Sequence, residues 1–480
     1  MDRGAHAPVI LWFRRDLRLS DHAALGACLR ARRPVIPVFI LDDTDRDAWR
    51  LGAGGRWWLH HSLAALDAGL RRRDSRLILR RGRWSEALPA LVRETGAAAV
   101  HAGRLYDPAS REEDALVTGR LEVPVHGHRT RLLAEPWAVQ TKQGEPFAVF
   151  SAFARASLAA GTPAPPVEAP GHLPAPAAWP RSDDLATWQR AAAQRKGGCG
   201  LRDAWTPGEA GAHRRLGAFL DRTLDHYATQ RERLDRRGTS MLSPYLHWGE
   251  LSPATVWHAA AAAAGNRGTG LEEFHKGLLW REFAAHLLWH HPGMTEQPLR
   301  PEFARFPWRE DEAALRAWQQ GRTGYPIVDA AMRQLQRTGW VHNRARMIVA
   351  SFLTKHLLLP WQAGGRWFRD ALVDADLASN VASWQWAAGC GTDAVPYFRI
   401  YNPVRQGEHF DPDGAYVRAH VPELAGLPAE VIHRPWEATA EQLAAAGVRL
   451  GETYPERIVD HAAARARALD AFAAIGQAEA

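Results

Sequence analysis

The first 130 residues hold five short apolar runs: Val9–Phe13, Val35–Leu41, Leu77–Leu79, Ala97–Ala102 and Val123–His126. They constrain the fold more than any other feature of the chain. Each run is too short for a buried helix. Between the second and third, Arg56–Arg73 places Leu59, Leu63, Leu66 and Leu70 at helical spacing. Short apolar runs alternating with helical patterns predict βαβ units, hence a doubly wound, Rossmann-like parallel sheet. No GxGxxG follows any run, so an ordinary dinucleotide site is not signalled.

Residues 158–182 read LAAGTPAPPVEAPGHLPAPAAWPRS, a stretch that can make neither a helix nor a central strand. It predicts a long surface linker. From about residue 208 the pattern is helical, most clearly over Leu271–His291, Ile327–Thr338, Asn343–Leu359 and Gly365–Val373. Thr338-Gly339 marks a helix stop, with a new start near His342. The run His258–Ala264 is a strong helix former and carries no functional signal. The expected organisation is an α/β domain over 1–130, a linker over 131–205 and an all-α domain over 206–480. A chain of 480 residues exceeds one ordinary domain.

Sixty Lys and Arg against 53 acids leave +7, compatible with a polyanionic partner and equally with simple solubility charge. Cys28, Cys199 and Cys390 fit no disulfide framework or zinc spacing, so a reducing compartment and no metal are expected. The N-terminal residues lack a secretory h-region, and no uncharged apolar run reaches membrane-spanning length. The expectation is a soluble, cytoplasmic monomer. Tryptophan is abundant, 21 against eight Tyr. That suits stacking surfaces, redox-active side chains or core filling.

Three constellations carry chemistry. Tyr227, Arg231 and then Gly238-Thr239-Ser240-Met241-Leu242-Ser243 bring hydroxyls and backbone N–H groups together, which suits a diphosphate or, equally, a helix N-cap. In Gly339-Trp340-Val341-His342-Asn343-Arg344-Ala345-Arg346-Met347, a helix would put Asn343, Arg346 and Met347 on one face, with Arg344 elsewhere. Asp374 and Asp376 at i, i+2 can pair on a metal or accept hydrogen bonds from a bound ring. The metal reading lacks a third ligand. Asn380 and Trp384 share a face if their segment is helical.

Trp12-Phe13-Arg14-Arg15-Asp16-Leu17-Arg18-Leu19 resembles the N-terminal signature of the photolyase and cryptochrome family. So do Thr323–Arg333, Asn343–Met347 and the stretch from Gly391-Thr392-Asp393 through Tyr397-Phe398-Arg399. The resemblance runs in order from about residue 8 to 430. It implies an antenna-binding α/β domain and a helical domain holding a folded FAD, with reduced FADH⁻ as the active form. It implies flavin contacts at Tyr227, Thr239, Ser240, Met241, Leu242, Ser243, Phe274, Asn343, Arg346, Asp374, Asp376 and Asn380. Trp384, Trp361 and Trp308 match the family's electron-carrying tryptophans, and Asn380 the residue facing flavin N5. Trp280 and Trp386 match the pair flanking an extruded pyrimidine dimer. Arg231, Arg281, Asn343, Arg344, Met347, Arg399 and Gln406 match positions at the DNA and lesion surface.

The implied reaction is blue-light-driven splitting of cyclobutane pyrimidine dimers in UV-damaged DNA, a lyase with no net redox change. Asn380 favours dimer repair, since cryptochromes carry Asp or Cys at that place. Asn343 and Met347 stand where (6-4) photolyases carry histidines. A cryptochrome-like sensor and a (6-4) photolyase are the alternatives. Gly277 departs from the pattern, because many dimer photolyases carry a lesion-contacting Glu there. The Leu358–Trp361 and Arg56–Leu59 patterns resemble class III members. Ala109-Ser110 replaces the folate-binding Asn-Glu pair of one bacterial type. Methenyltetrahydrofolate is favoured over a deazaflavin as second chromophore.

Overall fold

The computed structural model describes residues 7–42, 51–191, 198–265, 268–393 and 398–476. Strands β1 (Val9–Phe13), β2 (Val35–Leu41), β3 (Ile78–Arg81), β4 (Ala99–Gly103) and β5 (Val125–His128) form one parallel sheet. Its order is β3-β2-β1-β4-β5. Val9 is in register with Val35 on one side and with Ala99 on the other. The crossovers include α1 (Ala23–Arg30), α2 (Ala53–Arg71), α3 (Trp84–Thr95) and α4 (Pro108–Arg120). Helices cover both sheet faces, so all five β1 residues are buried and the strand reads as a continuous apolar run.

The strand order reverses between β1 and β4. In such sheets the crevice at the carboxyl ends of these strands is where ligands and partners meet the fold. Arg14 and Arg15 follow β1, and Arg104 to Asp107 follow β4. One sheet face packs Ile10, Trp12, Ile36 and Val38 against Leu88, Leu91 and Val117 of α3 and α4. The other packs Leu11, Phe13 and the α2 residues Trp58 and Leu63 in one core with Tyr245, Trp248 and Trp340 of the helical half.

Polar contacts close this seam. Glu209 accepts the backbone N–H groups of Leu19 and Ser20, both at 2.9 Å. Buried Glu250 accepts Trp58 Nε1 at 3.2 Å and the Gly208 N–H at 2.6 Å. Arg18 donates to the Gly249 carbonyl at 3.0 Å.

The segment 131–205 is more structured than a linker. It contains α5 (Phe150–Ala159), a 3-10 turn over Leu185–Ala191 and a short helix Gly198–Ala204. Residues 161–184 hold no helix or strand, as the prolines require. Their backbone is nevertheless paired to the α/β half: the Asp21 N–H donates to Val167 at 2.6 Å, Val35 to Pro174 at 2.8 Å, and Leu173 to Arg73 at 3.1 Å.

The helical half contains Thr269–His290, Pro326–Thr338, Asn343–Ser351, Trp361–Ala371 and Leu377–Ala388. Gly339 ends its helix in the left-handed region at φ 65°, a place a side chain would strain. His342 restarts the next helix, its Nδ1 accepting the Arg344 N–H at 3.0 Å. The expected single helix Asn343–Leu359 is instead interrupted, passing into a π turn over Phe352–His356. It then stops at Leu358 with φ 54°, ahead of Pro360. The residue before a proline, here Leu359, disfavours helical backbone, which shortens the helix.

Candidate active site

Five stretches of chain converge at the seam: 227–231, 239–248, 274–282, 340–347 and 373–386. Ser243 Oγ accepts Trp340 Nε1 at 3.1 Å, and Trp248 Nε1 donates to the Val373 carbonyl at 2.9 Å. Arg281 Nη2 donates to Leu246 O at 3.5 Å, and His247 Nδ1 lies 3.8 Å from Asp376. The helix Thr269–His290, bearing Phe274, Trp280 and Arg281, packs along Leu377–Ala388, which bears Asn380, Trp384 and Trp386.

Asp374 is buried, and Arg346 Nη2 donates to its two oxygens at 3.1 and 2.8 Å, while Arg346 Nε holds the Val341 carbonyl. Asp376 caps Leu377–Ala388, accepting the Ser379 N–H at 3.0 Å, and its other oxygen lies 3.3 Å from Arg131 Nη2 across the seam. Burial opposes ionisation of Asp376, but His247, Arg131 and Arg281 together hold its carboxyl well below the usual range. Burial pushes His247 down to about 4, so it is neutral at pH 7. Both carboxylates are thus engaged by arginine, which disfavours the metal-pair reading. Arg15, Arg131, Arg281, Asp107 and Asp376 surround a small seam cavity of about 30 Å³.

Asn380 is 8% exposed, and its Nδ2 donates to the Gly365 carbonyl at 2.9 Å, which turns Oδ1 the other way. Trp384 and Trp361 are buried and Trp308 is half-buried, all in one apolar core. Trp384 rings meet Phe368 and Trp318, and Trp308 meets Phe306 at 4.4 Å. Of the three tryptophans, two are buried in that core and Trp308 lies at its half-buried margin.

Thr239, Ser240 and Met241 lie half-buried on irregular backbone; Met241 adopts φ 53° and Leu242 is buried. Ser243 is exposed. Tyr227 and Phe274 form an aromatic group with Phe219, Phe274 meeting Phe219 at 4.6 Å. Trp280 is 42% exposed and Trp386 half-buried. Asn343 and Arg399 are exposed, Met347 half-buried. Arg231 pairs with Glu273 at 2.8 Å, and Arg344 donates Nε to Glu232 at 2.6 Å. These half-exposed pairs are each worth about 0–1 kcal/mol, so a phosphate can replace the carboxylate at little cost.

Two DNA-side expectations sit differently in the structure. Arg281 faces inward, 14% exposed, against Glu282 at 3.2 Å and the seam cavity, because its own helix face is the buried one. Gln406 has a buried Oε1 without a hydrogen bond. Tyr397 lies outside the described residues. Arg131, His247 and Arg15 were not legible as site residues. Arg131 and His247 meet Asp376 only through long-range packing. Arg15 stands within the recognised Trp12–Leu19 motif, and its place at the switch point after β1 was the available signal.

Residues 9–171 match the DNA photolyase family model and residues 274–474 that of the FAD binding domain of DNA photolyase. The deoxyribodipyrimidine photo-lyase of Agrobacterium fabrum (strain C58) is 48% identical over 473 residues, 98% of either chain. The chain belongs to the photolyase and cryptochrome family. Cryptochrome-1 of Arabidopsis thaliana, another member, is 39% identical over 98% of this chain and 71% of its own length. The crystal structure of a bacterial class III photolyase from Agrobacterium tumefaciens superposes with a TM-score of 0.94 at 47% identity, covering 98% of both chains. The family's FAD-binding domain thus coincides with the stretch that carries Phe274, Arg346, Asp374, Asp376 and Asn380.

The residues present fit FAD. Hydroxyls and irregular backbone at 239–243 are of the kind that receives a diphosphate, and the part-buried Arg346–Asp374 ion pair and the oriented amide of Asn380 are of the kind that borders a flavin ring.

Proposed function

We propose that this chain is a deoxyribodipyrimidine photo-lyase that splits cyclobutane pyrimidine dimers in DNA under blue light. The observation that carries the reading is the placement of Trp280. A 42% exposed indole stands on a helix packed directly against the one that holds buried Asn380 and half-buried Trp386. Exposing a large aromatic is costly unless a partner covers it. Bound FAD supplies the light absorption and one-electron chemistry.

The chain's own residues do the rest. Thr239, Ser240 and neighbouring N–H groups hold the diphosphate. Arg346, locked by Asp374, and Asp376, locked by Arg131, orient the ring and exclude water. Asn380 offers an amide rather than an acid, so it delivers no proton. Trp384, Trp361 and Trp308 carry electrons between surface and core. Photolyases work on a base taken out of the helical stack. The ring faces of Trp280 and Trp386 repay unstacking by about 1–3 kcal/mol per base. Arg231, Arg344 and Arg399 hold phosphates without reading sequence.

A methenyltetrahydrofolate antenna is part of the same reading. The support is an aromatic group at the seam beside Asp107–Ser110: Trp137 and Trp289 are 4.7 Å apart, with the Arg111 guanidinium 3.9 Å over Trp289. A planar pigment with an acidic tail suits that combination. No helix among the described residues is long and apolar enough to cross a membrane. We place the protein in the cytoplasm as a monomer.

The deciding experiment is blue light on the reduced, flavin-loaded protein with a thymine-dimer oligonucleotide. Restored thymines, counted by chromatography, are expected. Intact flavin photoreduction without repair would instead identify a light sensor, the role suggested by the cryptochrome relatives.

A further inference from the structure

The exposed indole of Trp280 is open on one face only. Phe150 lies flat against the other, with ring centroids 3.7 Å apart and planes 8° apart. This is closer and more parallel than the offset or edge-on contacts that aromatic pairs adopt by default. Phe150 is the first residue of α5, and its ring also meets Phe283 at 5.9 Å. Phe283 is buried, sits edge-on to Trp280 at 5.9 Å, and packs on Phe153 one turn further along α5 at 5.2 Å. Phe150 therefore rests on a fixed floor.

Asp393 lies beside the first turn of α5, where helical N–H groups have no internal partner. Asp393 itself stands in the left-handed region at φ 54°. A non-glycine residue stays there only when its surroundings over-determine it.

An extruded base gains most from a ring already immobile before it arrives, because no rotamer freedom is then lost on binding. We infer that Phe150, seated on Phe283, is a positioning residue of the lesion pocket, fixing the plane of Trp280 and directing the extruded pyrimidine onto the indole face opposite Phe150. The inference rests on the repair reading above.

The test compares flavin-loaded Phe150→Ala and Phe150→Tyr proteins on a thymine-dimer duplex and on the same duplex undamaged. Lesion affinity of Phe150→Ala should fall about 2- to 10-fold, the range aromatic pairing supports. Affinity for undamaged DNA should hold. Phe150→Tyr should restore lesion binding. In a Trp280→Ala background, Phe150→Ala should have no further effect. Tighter lesion binding by Phe150→Ala would mean that the phenyl ring occupies the base's own place. Equal losses on both duplexes would mean a general disturbance of the surface. Either result overturns the inference. A parent protein with no preference for the damaged duplex would refute the repair reading itself, before any variant is compared.

Discussion

Gly364→Ala sets two effects of similar size against each other. Gly364 lies inside the helix Trp361–Ala371, where alanine gains about 1 kcal/mol of helix propensity over glycine. The added methyl, however, would stand 2.1 Å from Cη2 and 2.5 Å from Cζ3 of Trp384, and 2.7 Å from Leu353 Cδ2. The indole cannot retreat. It is 2% exposed, with Phe368 edge-on at 5.1 Å and Trp318 at 6.1 Å. Overpacking a tight core costs about 1–3 kcal/mol, and a rigid ring at this distance belongs at the upper end. The clash therefore wins, for a net loss of about 1–2 kcal/mol. Urea unfolding of the flavin-loaded protein reads the loss, and the rate of light-driven flavin reduction with an external donor reads the displaced indole. A variant stabilised by the full propensity increment would refute the packing argument. A destabilised variant that is reduced at the parent rate would refute Trp384 as the inner electron carrier.

Asp374→Asn leaves the Arg346 guanidinium without its partner carboxylate. Because Arg346 is 26% exposed, the cost should be about 1–3 kcal/mol rather than that of a fully buried pair. The flavin-to-protein absorbance ratio after purification should fall; an unchanged ratio contradicts the ring-side role. Burial pushes Glu250 up to about 8. Between the ordinary carboxylate range and that value the unfolded chain is ionised while the folded protein keeps the proton, so stability falls as pH rises through this window. Glu250→Gln should flatten that slope in melting curves taken from pH 5 to 8. Asn380→Asp replaces the amide that donates to Gly365 with an acid able to donate only when protonated. It should therefore cost more stability at pH 8 than at pH 5, and equal losses at the two values would contradict the buried hydrogen bond.

The sheet was legible because β1 and β2 are buried on both faces, which leaves no polar residue to blur their apolar runs. Val9–Phe13 and Val35–Leu41 matched to the residue. The edge strands β3 and β5 shifted by one or two positions, since Arg80, Arg81 and His126–His128 can be polar at a margin. Gly339 and His342 announced their helix boundary through local chemistry alone. The π turn at Phe352–His356 had no such signal, because a π turn and an α-helix read alike in hydrophobic pattern. The same divide holds in the site. Asn380 and Arg346 stand out as odd residue types on their helices, and Asp374 as an acid in the short turn between two helices. Phe150 and Arg131 do not, because what matters is the face they meet, 130 and 245 residues away along the chain.

The seam has a consequence for engineering. Glu209, Glu250 and Asp376 belong to the helical half, yet each takes donors from the α/β half: Leu19 and Ser20, Trp58, and Arg131. A gene truncated to residues 206–480 would yield three acids short of donors and one side of a shared core laid bare. Such a fragment should aggregate rather than serve as a miniature enzyme. The flavin-holding module is no portable cassette, and grafting it beneath another light-gathering domain would first require rebuilding those donors on the new host.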